Sequence, residues 1–493
     1  MIGILPCAGK GTKFYELGKE YPKCILPYKE KPLLIYNVDW LKAQGCNQVY
    51  IITSHQESKI QEVLKIYNTD AITLKPLTNE GLSVSVLSAL SNVGNESALI
   101  LLGDMIVEES IPSDTENWVA INRVKDWSRW CMFDEKKNLF IEKPNNKPDT
   151  DIALTGIYFV KQAINLKKAI QEQLRKKIKV QNEYTLSSAL QLMNEKFIAH
   201  EIKTLDFGSV EKFFENRKVK QSRVFNSIQY DGNIAIKRSK QRHKLINEVS
   251  WYNNVPIELQ AKTPKIFGCS FYGEEASYEM QKVNLPTLRE LFLFLDRGED
   301  LWGKILNACV STYKQMVSYQ YEYSSFDFIL EKTKARSKGL DVGNFLGEFE
   351  ELGRKIDTTT HLMHGDYIPS NLFWNTQSED IVLIDPRGEL FGSKYYDWAK
   401  LKHSFNYYYD FIDAELYAKH GKKIKIFNDG CEAIEKMFNK WERKLFNEQE
   451  RKYLEMLTAS LFLSEIPLHS HNKNNQKIYY DIFKSISDLS INE

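Results

Sequence analysis

Short apolar runs alternate with amphipathic stretches through the first 220 residues, and then the alternation stops. "MIGILPCAG", "NQVYIITS", "SALILLGD" and "WVAIN" are separated by segments such as "LLIYNVDWLKAQG", whose apolar positions recur at helical spacing. Strands separated by helices are joined by crossovers, so the pattern predicts a parallel α/β sheet. The basic segment "FFENRKVKQSR" (213–223) closes this region, and a boundary is expected near residue 220. Beyond it, "SRVFNSIQYDGNIAIKRS" places two strand-like runs around Asp231-Gly232, a dipeptide suited to the positive φ angles of a tight hairpin. From about residue 285 the pattern is mostly helical, with one strand-like interruption at "DIVLIDPRG". A chain of 493 residues exceeds the one-domain prior of roughly 150, so two or three units are expected.

Composition narrows the partners. Hydrophobic residues at 43% and aromatics at 12% describe a globular chain. Lys plus Arg (66) nearly cancels Asp plus Glu (65), which gives no global field for nucleic acid or an anionic membrane surface. Small phosphorylated molecules remain, because local lysines hold them without a basic chain. The seven cysteines are scattered and never form a C-x-x-C pair, which speaks against a disulfide framework or a structural zinc and for a reducing cytosol. Met1 runs straight into "IGILPCAG" with no basic leader, and the most apolar run, "ALILLGDMIV", is too short to span a bilayer and contains Asp104. A soluble, cytoplasmic protein with small-molecule substrates and no membrane insertion is expected; the oligomeric state stays open.

In "ILPCAGKGTKF" a strand runs into Gly9 and Gly11, whose missing side chains let backbone N–H groups approach phosphate oxygens. Thr12 and Lys13 follow, and "YPKCILPYKEKPLL" adds Lys23. This order resembles the sugar-1-phosphate nucleotidyltransferases and their relatives acting on phosphocholine-type alcohols, which open with G-x-G-T-R, then P-K-x-L-x-P, then K-P-L. The resemblance extends over most of residues 1–220 and implies a Rossmann-like fold. By it, "NEGLSVSVLSAL" with Gly81 reads the nucleotide, "LLGD" and "LDFGSVEKFFE" supply Asp104 and Asp206 as ligands of Mg2+, and "FIEKP" and "ALTGIYFV" supply Glu142, Lys143 and Gly156 to the substrate. Lys13 and Lys23 would offset the charge of two meeting phosphates. Lys13 stands where the family has arginine, and a lysine lacks the bidentate fork.

"MHGDYIPSNLFWN" (363–375) carries the spacing D-x-x-x-x-N as Asp366 and Asn371, and "IVLIDPRGE" runs a strand into Asp385. "NIAIKRS" and "LINEVSWYNN" place Lys237 on a strand and Glu248 on a helix eleven residues later. These motifs resemble the aminoglycoside phosphotransferase and choline kinase-like family over residues 221–493. The resemblance implies a bilobal, protein-kinase-like α+β domain with a small lobe at about 221–284 and a large helical lobe at about 285–493. It makes Asp366 the catalytic aspartate, Asn371 and Asp385 ligands of Mg2+, Lys237 and Glu248 the ATP-phosphate pair, Glu279 in "YEMQKV" part of the adenine hinge, and Asp397 a brace for the catalytic loop. Arg387, directly after the metal aspartate in "DPRG", suits hydroxyls, carboxylates or phosphates better than a quaternary ammonium.

The two resemblances fit consecutive steps: a kinase makes a phosphate monoester with ATP, and a nucleotidyltransferase couples that monoester to a second NTP. The expected function is a bifunctional enzyme making an NDP-activated donor for surface polysaccharide. Two alternatives stand beside it: a choline or amino-alcohol kinase joined to a CTP:phosphocholine-type cytidylyltransferase, and a kinase joined to a nucleotide-binding regulatory domain without catalysis.

Overall fold

The run Ile2–Pro6 is buried on both faces, as a strand flanked by two parallel neighbours must be. In the computed structural model, which describes residues 1–28, 31–112, 116–217, 226–272, 275–421 and 423–492, Ile2–Pro6 pairs in parallel with Gln48–Ile52 on one side and Ala98–Leu101 on the other. Ile72–Leu74 extends the parallel part beyond Gln48–Ile52. Ile4, Ile52, Val86, Ile100, Val119 and Leu166 belong to the core formed by the sheet and its helices.

On the other side the sheet is mixed. Ile152–Val160 runs antiparallel to both Ala98–Leu101 and Trp118–Arg123, and the hairpin of Cys131–Asp134 and Leu139–Glu142 lies at that edge. Ile198–Glu201 returns parallel to Trp118–Arg123. The expectation of a wholly parallel sheet is thereby corrected. Parallel neighbours need a crossover of a dozen or more residues, usually helical, and no helix stands between residues 101 and 152 among the described residues.

Contacts divide the chain into two units, Met1–Val219 with Tyr417–Lys425, and Lys220–Leu416 with Ile426–Glu493. The segment around the expected boundary, 218–225, lies outside the described residues. The division differs from two continuous segments in giving Tyr417–Lys425 to the first unit, where Tyr67 Oη donates to the Lys419 carbonyl at 2.7 Å.

The second unit opens with a four-stranded antiparallel sheet in the order Asn226–Asp231, Ile234–Ser239, Ala276–Gln281, Ile266–Ser270. Gly232, at φ 53°, makes the tight turn that Asp231-Gly232 predicts. Helix Arg242–Asn254 packs on this sheet, and helices including Glu299–Val317, Lys394–Phe405, Glu432–Leu445 and Glu448–Glu465 follow. Lys394–Phe405 is buried from Tyr395 to Phe405, so it is the unit's core helix despite its lysines. Lys402 survives there because Glu442 and Glu455 each meet its ammonium at 2.8 Å.

The turn after Asp385 touches helix Arg242–Asn254 closely. Gly388 has φ 104°, and a Cβ there would lie 2.5 Å from the Asn247 Cβ and 3.2 Å from the Glu248 nitrogen. Gly388→Ala is expected to cost at least about 2 kcal/mol of unfolding free energy, from left-handed strain and overpacking together. An unchanged denaturation midpoint of the second unit would contradict this close approach.

Candidate functional site

In an open α/β sheet, ligands bind at the carboxyl ends of strands where the strand order reverses. Ile2–Pro6 is that point, since the chain passes from it to one neighbour and later returns to the other. The loop at its end holds Gly9 and Gly11, the latter at φ 65°. A Cβ on Gly18 would lie 2.1 Å from the Gly11 carbonyl oxygen, so Gly18, which no motif singled out, lets helix Tyr15–Glu20 close over the loop. Thr12 and Lys13 are exposed beside it. The charge of Lys13 helps hold the Glu211 carboxyl below its usual range, after hydrogen bonds from Ser209 and the backbone.

Lys23, Asp104 and Asp206 meet at this loop. Lys23 Nζ pairs with Asp104. Burial works against its charge, yet Asp104 and, less strongly, Asp206 hold the ammonium above its ordinary value. The aspartates are brought together by antiparallel pairing of Met105–Val107 with Thr204–Asp206, extended by the Phe207 N–H donating to the Asp104 carbonyl at 2.8 Å. A Cβ on Gly208 would lie 3.0 Å from Asp206 Oδ1 and 3.3 Å from Asp104 Oδ2, which places both carboxylates over one backbone position. Among the described residues no group of three or more His, Cys, Asp or Glu forms a metal cage. Two hard carboxylates fit Mg2+ nonetheless, because that ion is commonly held by one or two carboxylates together with substrate phosphates.

The remaining predicted residues of this unit are spread out. Gly81 (φ 132°) precedes helix Leu82–Leu90, and its hydrogen faces the Tyr184 backbone, 2.6 Å from where a Cβ would stand. Gly156 (φ 100°) does the same against Leu102, two residues before Asp104. Glu142 accepts from Ser187 Oγ at 2.6 Å, and Lys143 is exposed, reaching Gln181 at 3.0 Å.

In the second unit Lys237 is 2% exposed and its ammonium donates to Glu248 Oε1 and Oε2 at 2.8 and 2.9 Å and to Asp385 Oδ1 at 3.0 Å. Burial opposes the charge, but Asp385 and Glu248 hold Lys237 above its ordinary value, while burial pushes the Glu248 carboxyl up. Tyr278 Oη donates to Glu248 Oε2 at 3.1 Å, and the Asp385 N–H donates to Tyr252 Oη at 3.0 Å. Glu279 does not join them: it lies one residue out of phase with Tyr278, so the strand's alternation exposes it.

Asp366 stands on the loop after strand Thr360–Leu362. Asn371 Nδ2 donates to the Asp366 carbonyl at 2.9 Å and to its Oδ2 at 3.1 Å, which leaves the amide oxygen of Asn371 as an acceptor for a cation. The Ile384 N–H donates to the Asn371 carbonyl at 3.0 Å, tying this loop to the strand end that carries Asp385. Asp397 accepts the His364 and Gly365 N–H groups at 2.7 and 2.8 Å. Burial brings the His364 imidazole down to about 4, and the neutral ring accepts the Asp366 N–H at Nδ1, 3.3 Å away. Lys400, missed in the motifs, meets Asp366 Oδ1 at 3.2 Å. Its signal is the three-residue spacing from Asp397, which puts both side chains on one face of helix Lys394–Phe405. Arg387 donates its N–H to the His364 carbonyl at 2.9 Å and its Nε to Glu389 at 2.7 Å, so it lies against the same loop.

Residues 3–114 match the family described as the MobA-like NTP transferase domain, and the first unit contains a nucleotidyltransferase-type Rossmann-like domain. The chain is 24% identical over 283 residues to a glucose-1-phosphate thymidylyltransferase of Neisseria gonorrhoeae, covering 53% of this chain and 94% of that protein. It is 28% identical over 174 residues to the bifunctional protein GlmU of Methanococcus maripaludis, covering 33% of this chain and 41% of that protein. A solved UDP-glucose pyrophosphorylase complexed with UDP-glucose is similar at 23% identity and a TM-score of 0.39, covering 44% of this chain and 98% of that one. Among the described residues no helix is long and apolar enough to cross a membrane.

Burial pushes the Asp397 carboxyl up to about 6, against the two N–H groups it accepts. A raised carboxyl binds more protons folded than unfolded, so its contribution is full below about pH 4 and is lost as pH rises through about 6. The unfolding free energy of wild type minus that of Asp397→Asn should therefore fall by about 2 kcal/mol between pH 4 and pH 7. A difference independent of pH would show an ordinary carboxylate there.

Proposed function

We propose that the chain is a bifunctional enzyme whose second unit phosphorylates a small hydroxyl compound with ATP and whose first unit joins the resulting monoester to a nucleotide. The observation that carries the reading is the convergence of Lys23, Asp104 and Asp206 at the switch point of a nucleotidyltransferase-type sheet. The relative named a glucose-1-phosphate thymidylyltransferase supports a sugar-type monoester, and an NDP-activated donor for surface polysaccharide is the expected product.

In the first unit the Gly9–Gly11 loop offers N–H groups to the triphosphate. Lys23 offsets the charge as a monoester oxygen bonds to the α-phosphorus and pyrophosphate leaves. In the second, Lys237 positions the α- and β-phosphates, held in place by Glu248. Asp366 takes the acceptor's hydroxyl proton while that oxygen bonds to the γ-phosphorus and ADP leaves, and Lys400 keeps the carboxylate oriented. Asp104 and Asp206 in one unit, and Asn371 and Asp385 in the other, would hold magnesium, which would supply positive charge to phosphate oxygens.

Incubation with ATP, the four NTPs and a panel of sugars and alcohols should yield an NDP-linked mass. Asp104→Ala should abolish pyrophosphate release while acceptor-dependent ADP formation continues, and the phosphorylated intermediate should accumulate. Asp366→Ala should do the reverse, with NDP product forming only when the phosphorylated acceptor is supplied. Each loss should reach at least about 100-fold. If Asp104→Ala also stopped ADP formation in a folded protein, the reading of two separate sites would fail.

A further inference from the structure

Against the start of the loop that carries Asp366 the second unit has a cavity of about 100 Å³ whose wall includes Met363, Phe328, Arg387, Glu389 and Tyr396. Its polar lining pairs the Arg387 cation with Glu389 and adds the hydroxyls of Ser325, Ser393 and Tyr396. The Arg387 guanidinium lies 5.3 Å from the ring centre of Phe328 and 4.9 Å from that of Tyr396. It spends Nε on Glu389, while its Nη1 is buried with no hydrogen-bond partner among the described residues. One turn along the helix that carries Phe328, Lys332 donates to Tyr396 Oη at 2.9 Å, and among the described residues it has no ion pair with a carboxylate. Lys400 reaches the same hydroxyl with its field while facing Asp366 at 3.2 Å and Glu465 at 3.9 Å.

A half-buried ammonium without a counter-charge and a buried guanidinium nitrogen without an acceptor are both costly, and both are relieved by one anionic oxygen group. The strain shows in the neighbours. Burial, joined by Arg387 and Lys400, pulls the Lys332 ammonium below its ordinary value. The Tyr396 hydroxyl is brought down to about 8: burial alone would raise it, but Lys332, Lys400 and Arg387 outweigh that. The carboxylates present are already engaged, Glu389 with Arg387 and Asp366 with Asn371 and Lys400. The two aromatic faces that would suit a quaternary ammonium are occupied by the guanidinium.

We propose that the acceptor of the second site is a hydroxy compound bearing an anionic group, a carboxylate or a phosphate, which docks on Lys332, Arg387 Nη1 and the Tyr396 hydroxyl with its own hydroxyl toward Asp366. The inference rests on reading that site as a kinase. In the transfer the acceptor O–H gives its proton to Asp366, its oxygen bonds to the γ-phosphorus of ATP, and the β–γ bridging oxygen leaves with ADP. The anionic group keeps its own bonds and serves only to anchor.

The test measures ADP release by the full chain with matched acceptors: D-glycerate against glycerol, glucuronate against glucose, and choline. Glycerol 3-phosphate is included to separate phosphate from carboxylate. The acidic partner of at least one pair should be preferred by at least about tenfold in kcat/KM, roughly one charged anchor. Lys332→Met should raise KM for that acid at least about tenfold with KM for ATP unchanged, and Lys332→Arg should restore it. Turnover of glycerol, glucose or choline above all the acids would overturn the proposal while leaving the kinase reading intact. If no acceptor releases ADP, the kinase reading fails, and calorimetric titration of the same acids decides the cavity alone: heat lost in Lys332→Met supports an anion site, and no heat with any acid overturns it.

Discussion

Lys237 is nearly inaccessible to water, and an ammonium taken out of water costs several kcal/mol unless carboxylates follow it inside. Glu248 and Asp385 do so, and much of the second unit's geometry is what brings them there. The hairpin around Gly232 sets the strand of Lys237, helix Arg242–Asn254 delivers Glu248 from the sheet side, and the turn through Gly388 brings Asp385 from 148 residues away. Tyr278 and Tyr252 give their hydroxyls to the same cluster. Removing Lys237 leaves two neighbouring carboxylates without a cation, so strand, helix and turn are held in mutual register by electrostatics as much as by packing.

The first unit solves a related problem with a more open arrangement. Lys23 retains 30% of its side-chain exposure and Asp104 16%, so the pair is part-buried at the end of a sheet. On the proposed reading a nucleoside triphosphate approaches this site, and the smaller desolvation cost would let Lys23 exchange a carboxylate for phosphate oxygens. The parallel strands and the Gly11 turn matter because they point the cluster out of the sheet at its carboxyl edge.

Around Asp366 the charges are arranged in depth. Lys400 faces the carboxylate, Tyr396 and Arg387 lie beyond, and Lys332 comes last. A chain whose overall charge is +1 thus concentrates cationic groups where an anionic substrate would be handled. Net charge says little about such a site, since a few ångströms of low dielectric outweigh distant surface charges.

Local sequence determined the elements and the residues that meet within one short span. Alternation predicted the strands and helices, Asp231-Gly232 predicted its turn, and the eleven-residue step from Lys237 to Glu248 was readable because strand and helix are consecutive. The loop of Asp366 and Asn371 was readable for the same reason. Tertiary structure alone decided the rest. The antiparallel half of the first sheet depends on which strands find each other without a crossover helix. Tyr278 rather than Glu279 meets Glu248 because the pleat turns alternate residues to opposite faces, and no motif carries that phase. Lys332 comes from a different helix than Tyr396 and Lys400, and its approach is set by packing across 64 or more residues, where composition and spacing hold no information about which faces touch.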